Sequence, residues 1–451
     1  MYFLKCHIIH NSAAFVQLPD DGYSPTGTQD VTKLINMPKF YLIVKKLHLH
    51  IGTNYRTTMS STMTTIVTEN KAAQTGESIP SVMSTATGSG ILTFPLLGSP
   101  GQPTPKERGQ GPFEFYPYAD LLPKVFPNPS EIGEPLKDFV HVDPGLRALS
   151  HPDPRKFLQG ATRIENFCPT IGAEVEGVNL TKLTPEERDE LALEVARRRV
   201  MVFRGQDDFF EAGSDFWKEF GSYFGRLHVH PTGGHPEGLP EIHMIYRDEN
   251  TVYYDTENIT RGMWHTDMSH ERQPPGLTAF FLLAHPESGG DTFFTSGVEA
   301  LRRLSPGFVE YLKTLRQIQS AVDPIQVTRN GTRTRNIRRP CVTTVHPLVR
   351  RHPVTGEESL FLNPEATKGI AGYKKQESDL ILSFLYDHIA GGLEGQMRVK
   401  WAPKTVVLWD NRVTMHSALF DFAGRPERRH GARITPQAER PIPALSGLHL
   451  D

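Results

Sequence analysis

The residues best suited to chemistry are a His-x-Asp pair, His265 and Asp267, and a histidine far downstream, His416. Residues two apart in a strand point to the same face, so the imidazole and carboxylate of the pair can reach one metal ion. Two histidines and one carboxylate leave open metal positions, as in the non-haem iron(II) oxygenases. A closed structural zinc site would need four protein ligands, and no such set is present.

A chance origin for the pair is the alternative, because the chain has 19 histidines. A lone His-x-Asp pair is therefore weak evidence, and its context must decide. His228 and His270 are interpreted as surface histidines without a role in the chemistry, and His228 alternatively as a structural residue. Trp264 and Trp409 are expected to pack beside the metal.

The elements that must position these residues are predicted to be short strands with a few helices. Strands are predicted at 200–203, 278–283 and 405–408. Helices are predicted from a capping box at Thr184 with Pro at the first helical position, from Ser305-Pro306, and over 377–389. Many short strands with a few helices indicate a mainly β fold with peripheral helices, a β-sandwich or jelly roll.

Composition divides the chain into a predicted low-complexity N-terminal extension, residues 1–150, and a patterned domain, residues 151–445. Ser, Thr, Gly and Pro dominate from about residue 57 to residue 110. Such a segment buries too little apolar surface to offset its ordering entropy, so we expect a long, disordered extension.

Charge and cysteine content exclude several classes of partner. Lys and Arg number 49 against 51 Asp and Glu, a balance that predicts neither nucleic acid nor an anionic membrane as a partner. No apolar run approaches the ~18 residues of a membrane helix. The three cysteines show no metal-like spacing and do not form an even set, so a reducing, cytoplasmic location is expected.

Several blocks resemble the TauD/TfdA family of Fe(II)/2-oxoglutarate-dependent dioxygenases, including the taurine and fungal-type sulfonate dioxygenases. The resemblance runs from about residue 164 to residue 436, with the blocks in family order. The blocks are residues 171–178, 202–206, 227–231, 264–267, 289–296, and 409–412 leading to His416.

The resemblance implies a double-stranded β-helix in which His265, Asp267 and His416 hold Fe(II). It implies that Thr292 contacts 2-oxoglutarate and that two arginines four apart on the last strand bind anions. Arg429 would bind the second carboxylate of 2-oxoglutarate, and Arg433 would bind the substrate anion. A planar guanidinium suits both tasks. Strand alternation puts Arg429 and Arg433 on one face and Arg428 on the other.

The resemblance implies a small organic anion as the substrate, with a sulfonate favoured, contacted by His230, Arg433 and Arg261. Three positions depart from the taurine enzyme: Gly233 and Ala366 replace aromatic residues, and Arg261 replaces an asparagine. Loss of two rings should enlarge the pocket, by on the order of 100 Å³. We therefore expect bulkier sulfonates than taurine to be accepted.

The implied reaction consumes 2-oxoglutarate and O₂ and hydroxylates the carbon next to the sulfonate. The products are then sulfite, an aldehyde, succinate and CO₂. Alternatives are the same chemistry on an alkyl sulfate, an aryloxyalkanoate or a purine, or a non-catalytic jelly roll that binds 2-oxoglutarate. The resemblance is also consistent with a homo-oligomer.

Overall fold

The computed structural model describes residues 6–9, 13–16, 116–123, 134–232, 234–248, 264–321, 338–340, 342–422 and 425–450. The chain divides into two compact units, Met1–Thr87 and Gly88–Asp451. In the first unit, β1 (Cys6–Ile9) and β2 (Ala13–Val16) form an antiparallel pair. Among the described residues, no helix has the length and apolar character needed to cross a membrane.

The second unit contains the remaining strands and all of the described helices. The strands are β3 (Arg163–Asn166), β4 (Ala173–Glu176), β5 (Val200–Phe203), β6 (Ile242–Arg247), β7 (Leu277–Ala284), β8 (Thr292–Ser296), β9 (Arg316–Ser320), β10 (Thr343–Pro347), β11 (Val349–Arg351), β12 (Glu358–Leu360), β13 (Thr367–Ile370), β14 (Gln396–Val399), β15 (Val406–Asp410), β16 (Thr414–Ala418), β17 (Arg429–Ile434) and β18 (Ile442–Pro443). The helices are α1 (Pro144–Ala148), α2 (Pro185–Arg198), α3 (Asp207–Phe224), α4 (Gly297–Arg302), α5 (Pro306–Lys313) and α6 (Lys375–Gly391).

A seven-stranded sheet in the order β3-β4-β5-β15-β7-β17-β6 forms the centre of this unit. Within it β4 and β5 are parallel, and every other neighbouring pair is antiparallel. The strands predicted at 200–203, 278–283 and 405–408 are confirmed as β5, β7 and β15. They are its apolar central strands, which is why they stand out in the sequence.

Both faces of the central strands are buried, and side chains alternate between two cores. In β15, Val406 and Leu408 belong to a core that includes apolar residues of α2 and α3, whereas Val407 and Trp409 belong to a core that includes residues of β8 and β14. Such two-sided burial explains the continuous apolar runs. The large sheet is thus covered by helices on one face and by a smaller sheet, in the order β14-β8-β16, on the other.

The predicted helices are present. Thr184 caps α2 through a capping box, because its hydroxyl accepts from the amide of Glu187 while the Glu187 carboxylate accepts from the amide of Thr184. The helix predicted from Ser305-Pro306 is α5, and the one predicted over 377–389 is α6. α3 is interrupted at Gly213, which lies in the left-handed region with φ of 73°.

Residues 116–123 and 134–150, which sequence analysis assigns to the extension, contact the patterned domain. The Tyr116 hydroxyl lies 2.6 Å from Nδ1 of His430 in β17. Asp143 caps α1 through the Gly145 amide and also accepts from Arg412 at 2.5 Å. The boundary at residue 150 stays a prediction, but polar contacts to the domain begin before it.

Candidate metal centre and its cavity

The three predicted metal ligands lie together at the edge of the smaller sheet. His265 pairs with His416 of β16 through two backbone hydrogen bonds, of 3.0 and 2.8 Å. Nε2 of each histidine lies 3.7 Å from Oδ1 of Asp267. The ligand atoms of all three residues lie within 4.8 Å of one another. Residues far apart in sequence therefore converge because a strand pairing joins them.

Asp267 is fixed through its backbone, and Oδ2 of its carboxylate stays available. Asn411 accepts a hydrogen bond from the amide of Asp267 at 2.9 Å and donates one to its carbonyl at 2.9 Å. Oδ2 of Asp267 and Nδ1 of His416 are buried and have no hydrogen-bond partner among the described residues. Buried polar atoms are nearly always satisfied, so these exceptions need a reason. A cation among the three ligands supplies one for the carboxylate, and the donor set fits a divalent transition metal.

The electrostatics favour metal binding. Burial acts to raise the pKa of the Asp267 carboxyl, but Arg433, His416 and His265 together lower it below its usual value. Burial, with a smaller effect of His265, lowers the pKa of His416 to about 3. The carboxylate is therefore charged and His416 is neutral at neutral pH, which are the forms that bind metals.

The triad opens into a cavity of about 250 Å³. Its walls include the predicted residues Thr292, Arg429, Arg433, His230 and Ala366. Gly233 and Arg261 lie outside the described residues, so the predicted role of Arg261 and the predicted enlargement at Gly233 stay predictions.

Thr292 and Arg429 form one end of this cavity. Nη2 of Arg429 lies 3.5 Å from the Thr292 hydroxyl, which also accepts from Nε1 of Trp401 at 3.2 Å. Nε of Arg429 donates to the carbonyl of Gly290 at 3.0 Å. Gly290 has φ of 67°, and a Cβ there would lie 3.2 Å from Cδ of Arg429. The Gly-Gly-Asp turn thus brings its backbone close to this arginine, which requires a glycine.

Arg433 lies at the metal end of the cavity. Its Nη1 donates to Oδ1 of Asp267 at 2.6 Å. Arg429 and Arg433 both line the cavity, whereas the guanidinium of Arg428 lies 3.9 Å from the ring centroid of Tyr116, outside it. The predicted alternation of these three arginines is confirmed.

His230 lies in the same part of the cavity, stacked on a second histidine. The rings of His230 and His243 are 4.1 Å apart and inclined by 13°. The Thr232 amide donates to Nδ1 of His230 at 3.1 Å. Burial, His243 and Arg433 hold the pKa of His230 well below its usual value. The ring is therefore neutral with its proton on Nε2, which makes it a hydrogen-bond donor.

The residues expected to have no role in the chemistry are only partly placed as predicted. Trp264 and Trp409 are buried among core side chains, as expected. His228 is buried and lies 3.1 Å from Glu271, a structural contact. The interpretation of His270 as a surface residue is wrong, because it is buried and lines the cavity.

Sequence reasoning missed His243 and Arg247, which line the cavity from β6. The available signal was alternation, since Ile242 and Met244 belong to the core beneath the large sheet while His243, Ile245 and Arg247 face the cavity. A strand prediction over 242–247 would have put these three on one face.

Known proteins match the part of this chain that contains the metal triad and the cavity. The family model described as taurine catabolism dioxygenase TauD, TfdA family, matches residues 163–435. An alpha-ketoglutarate-dependent sulfonate dioxygenase of Saccharomyces cerevisiae is 40% identical, over 74% of this chain and 80% of that protein. The alpha-ketoglutarate-dependent dioxygenase cnsP of Penicillium expansum is also 40% identical, over 77% of this chain and 92% of that protein.

A solved structure agrees with the sequence relatives. A taurine dioxygenase from Burkholderia xenovorans is 29% identical and superposes with a TM-score of 0.51, over 63% of this chain and 93% of that chain. The predicted jelly roll and the predicted enzyme class, a dioxygenase dependent on alpha-ketoglutarate (2-oxoglutarate), are thereby confirmed. The chain belongs to the taurine catabolism dioxygenase TauD, TfdA family.

Proposed function

We propose that this enzyme uses Fe(II), 2-oxoglutarate and O₂ to oxidise the carbon next to a sulfonate and to release sulfite. The observation that carries the proposal is a metal triad opening into a cavity with a buried arginine at each end. One arginine suits a dicarboxylate cosubstrate, and the other suits an anionic substrate. The sulfonate is favoured because the Saccharomyces cerevisiae relative is named for it.

His265, Asp267 and His416 would hold the iron. Two nitrogens and one oxygen form the two-histidine, one-carboxylate set that suits iron(II) in oxygenases and leaves positions for other ligands. When bound, the iron supplies activation of O₂ coupled to oxidation of 2-oxoglutarate. The protein holds the cosubstrate and substrate in place and excludes water.

The Thr292 and Arg429 end suits the outer carboxylate of 2-oxoglutarate. In the smaller sheet, Phe294 pairs with His416, and Thr292 pairs with Ala418, two residues further along β16. Two residues of a strand span about 7 Å. That span is comparable with the extended five-carbon chain of 2-oxoglutarate, so one end of the cosubstrate can reach the metal while the other reaches Arg429.

The Arg433 end suits the sulfonate. Arg433 provides a fixed positive charge beside the metal ligand Asp267, and neutral His230 provides an N–H donor. These donors match the three oxygens of a sulfonate. His243, stacked on His230, would hold that ring in position.

The reaction balances without further reagents. One oxygen atom of O₂ enters succinate as 2-oxoglutarate loses CO₂, and the other becomes the hydroxyl of the substrate carbon. The resulting α-hydroxysulfonate breaks its C–S bond as the hydroxyl loses its proton, giving an aldehyde and sulfite. The protein's own contribution is orientation of the C–H bond toward the metal side of the cavity.

The test is sulfite release from a panel of sulfonates, with taurine and larger members, in the presence of Fe(II), 2-oxoglutarate, ascorbate and air. Each component is omitted in turn, and His265→Ala serves as the blank. We expect sulfite that requires iron and 2-oxoglutarate and disappears in the variant. With Ala366 buried in the cavity wall, we expect larger sulfonates to compete well with taurine.

Other outcomes would change the proposal in defined ways. Succinate formation without sulfite would keep the dioxygenase and direct the search to an alkyl sulfate, an aryloxyalkanoate or a purine. Neither product from folded, iron-loaded protein would favour a jelly roll that binds 2-oxoglutarate without catalysis.

A further inference from the structure

Arg247 is a second buried arginine at the Arg429 end of the cavity. The antiparallel register of β6 and β17 places Arg247 directly opposite Arg429 and places His243 directly opposite Arg433. Arg247 is 7% exposed and lines the cavity with Arg429. The two strands therefore present two cross-strand pairs of basic residues to one cavity.

A contact with the segment that follows β16 places Arg247 at the same end independently. The guanidinium carbon of Arg247 lies 5.9 Å from the ring centroid of Phe420, which also lines the cavity. Phe420 follows two residues after Ala418, the strand partner of Thr292. The register of the large sheet and the contact with the segment after β16 thus both locate Arg247 near Thr292 and Arg429.

The other end of the cavity is too far along the strands for Arg247 to share its ligand. Arg433 contacts the metal ligand Asp267 and lies four residues from Arg429 on β17. Four residues of an antiparallel strand span about 13 Å.

Like charges directly opposite on neighbouring strands repel each other, and an anion bound beside both attracts both.

We propose that Arg247 binds the outer carboxylate of 2-oxoglutarate together with Arg429. This inference rests on the placement of the cosubstrate in the proposed function. It gives the carboxylate two guanidinium groups and the Thr292 hydroxyl. The substrate's sulfonate remains with Arg433 and His230.

The test is a titration of the Fe(II)-loaded full chain with 2-oxoglutarate, without O₂ or substrate. Calorimetry and the visible absorption of the complex measure binding. A charged hydrogen bond contributes about 1.5–3 kcal/mol, so Arg247→Gln should raise the Kd about 10-fold or more. Arg247→Lys, which keeps the charge, should lose less. Melting temperature and iron content establish that each variant is folded and loaded.

Two controls separate this role from a structural one. Arg425→Gln removes the same charge from an exposed residue that contacts Ser288, and it should leave the Kd within about 2-fold. 2-Oxobutanoate has the same metal-binding end but no outer carboxylate. Its weaker binding should not change between the wild type and Arg247→Gln.

Two results would overturn the inference. One is a Kd for 2-oxoglutarate in Arg247→Gln and Arg247→Lys within about 2-fold of the wild type. The other is an unchanged Kd with a raised KM for the sulfonate, which would assign Arg247 to the substrate. Failure of the proposed function is distinguishable, because the titration contains no sulfonate and the wild type must bind 2-oxoglutarate first.

Discussion

Two buried groups of ionisable residues lie beside the connection from β15 to β16, and they differ in how their polar atoms are satisfied. Arg412 donates to both carboxylate oxygens of Asp410, at 2.8 and 2.6 Å, and to Asp143 at 2.5 Å. His352 lies 2.8 Å from Asp410. In the metal triad, by contrast, one carboxylate oxygen of Asp267 has no partner among the described residues.

The difference separates a structural cluster from a chemical one. Burial opposes the charge of Asp410, yet Arg412 and His352 hold its pKa well below the usual range. Charge and burial therefore do not by themselves mark an active site. A buried polar atom that lacks a hydrogen-bond partner and faces a cavity marks an active site better.

The sharpest test of this comparison is His265→Ala. We expect iron binding to be lost and succinate formation to fall by about 1,000-fold or more, because the open metal site carries the chemistry. The free energy of unfolding without metal should change by less than about 1 kcal/mol, since the side chain is 27% exposed. Metal analysis, a succinate assay and urea unfolding measure these effects. Wild-type iron content in this variant would contradict the assignment.

Arg412→Met tests the structural cluster. Removal of Arg412 leaves the buried carboxylates of Asp410 and Asp143 without their guanidinium partner, which costs about 3–5 kcal/mol of unfolding free energy. Urea denaturation measures the loss, and Arg425→Met provides a surface control expected within about 0.5 kcal/mol of the wild type. A loss below about 1 kcal/mol would remove the contrast between the two groups.

The pH dependence of Asp410→Asn sharpens the same contrast. A carboxyl with a lowered folded-state pKa contributes stability above its unfolded pKa of about 3.9 and loses it as the pH falls toward the folded value. The free energy of unfolding of the wild type should therefore exceed that of the variant most above about pH 5, and this difference should shrink below about pH 4. Urea unfolding at several pH values measures this, and a constant difference would argue against the charge of Asp410.

The smallest effect is expected from Tyr116→Phe. The change removes the hydroxyl that lies 2.6 Å from His430, whose other ring nitrogen lies 3.2 Å from the carbonyl of Leu121. A single hydrogen bond contributes about 1 kcal/mol to the free energy of unfolding. Because this contact is outside the cavity, the Kd for 2-oxoglutarate should stay within about 2-fold. A larger change in that Kd would link residue 116 to the cosubstrate end.

Local patterns predicted some of these features and not others. Apolar runs and a capping box predicted β5, β7, β15 and α2, because both signals reside in consecutive residues. The alternation of Arg428 with Arg429 and Arg433 was predictable for the same reason. β6 carries a weaker local signal, since His243 interrupts its apolar residues and Arg247 ends the strand, so both basic residues were missed.

The sequence by itself determined the ligand types, the fold class and the enzyme family, because these depend on residue identity and order along the chain. Only the tertiary structure decided that His265 pairs with His416 and that Arg247 lies opposite Arg429. The physical reason is that strand register joins residues distant in sequence. The tertiary structure also decided which buried charges have hydrogen-bond partners, since partners such as Asp143 and Arg412 come from distant segments.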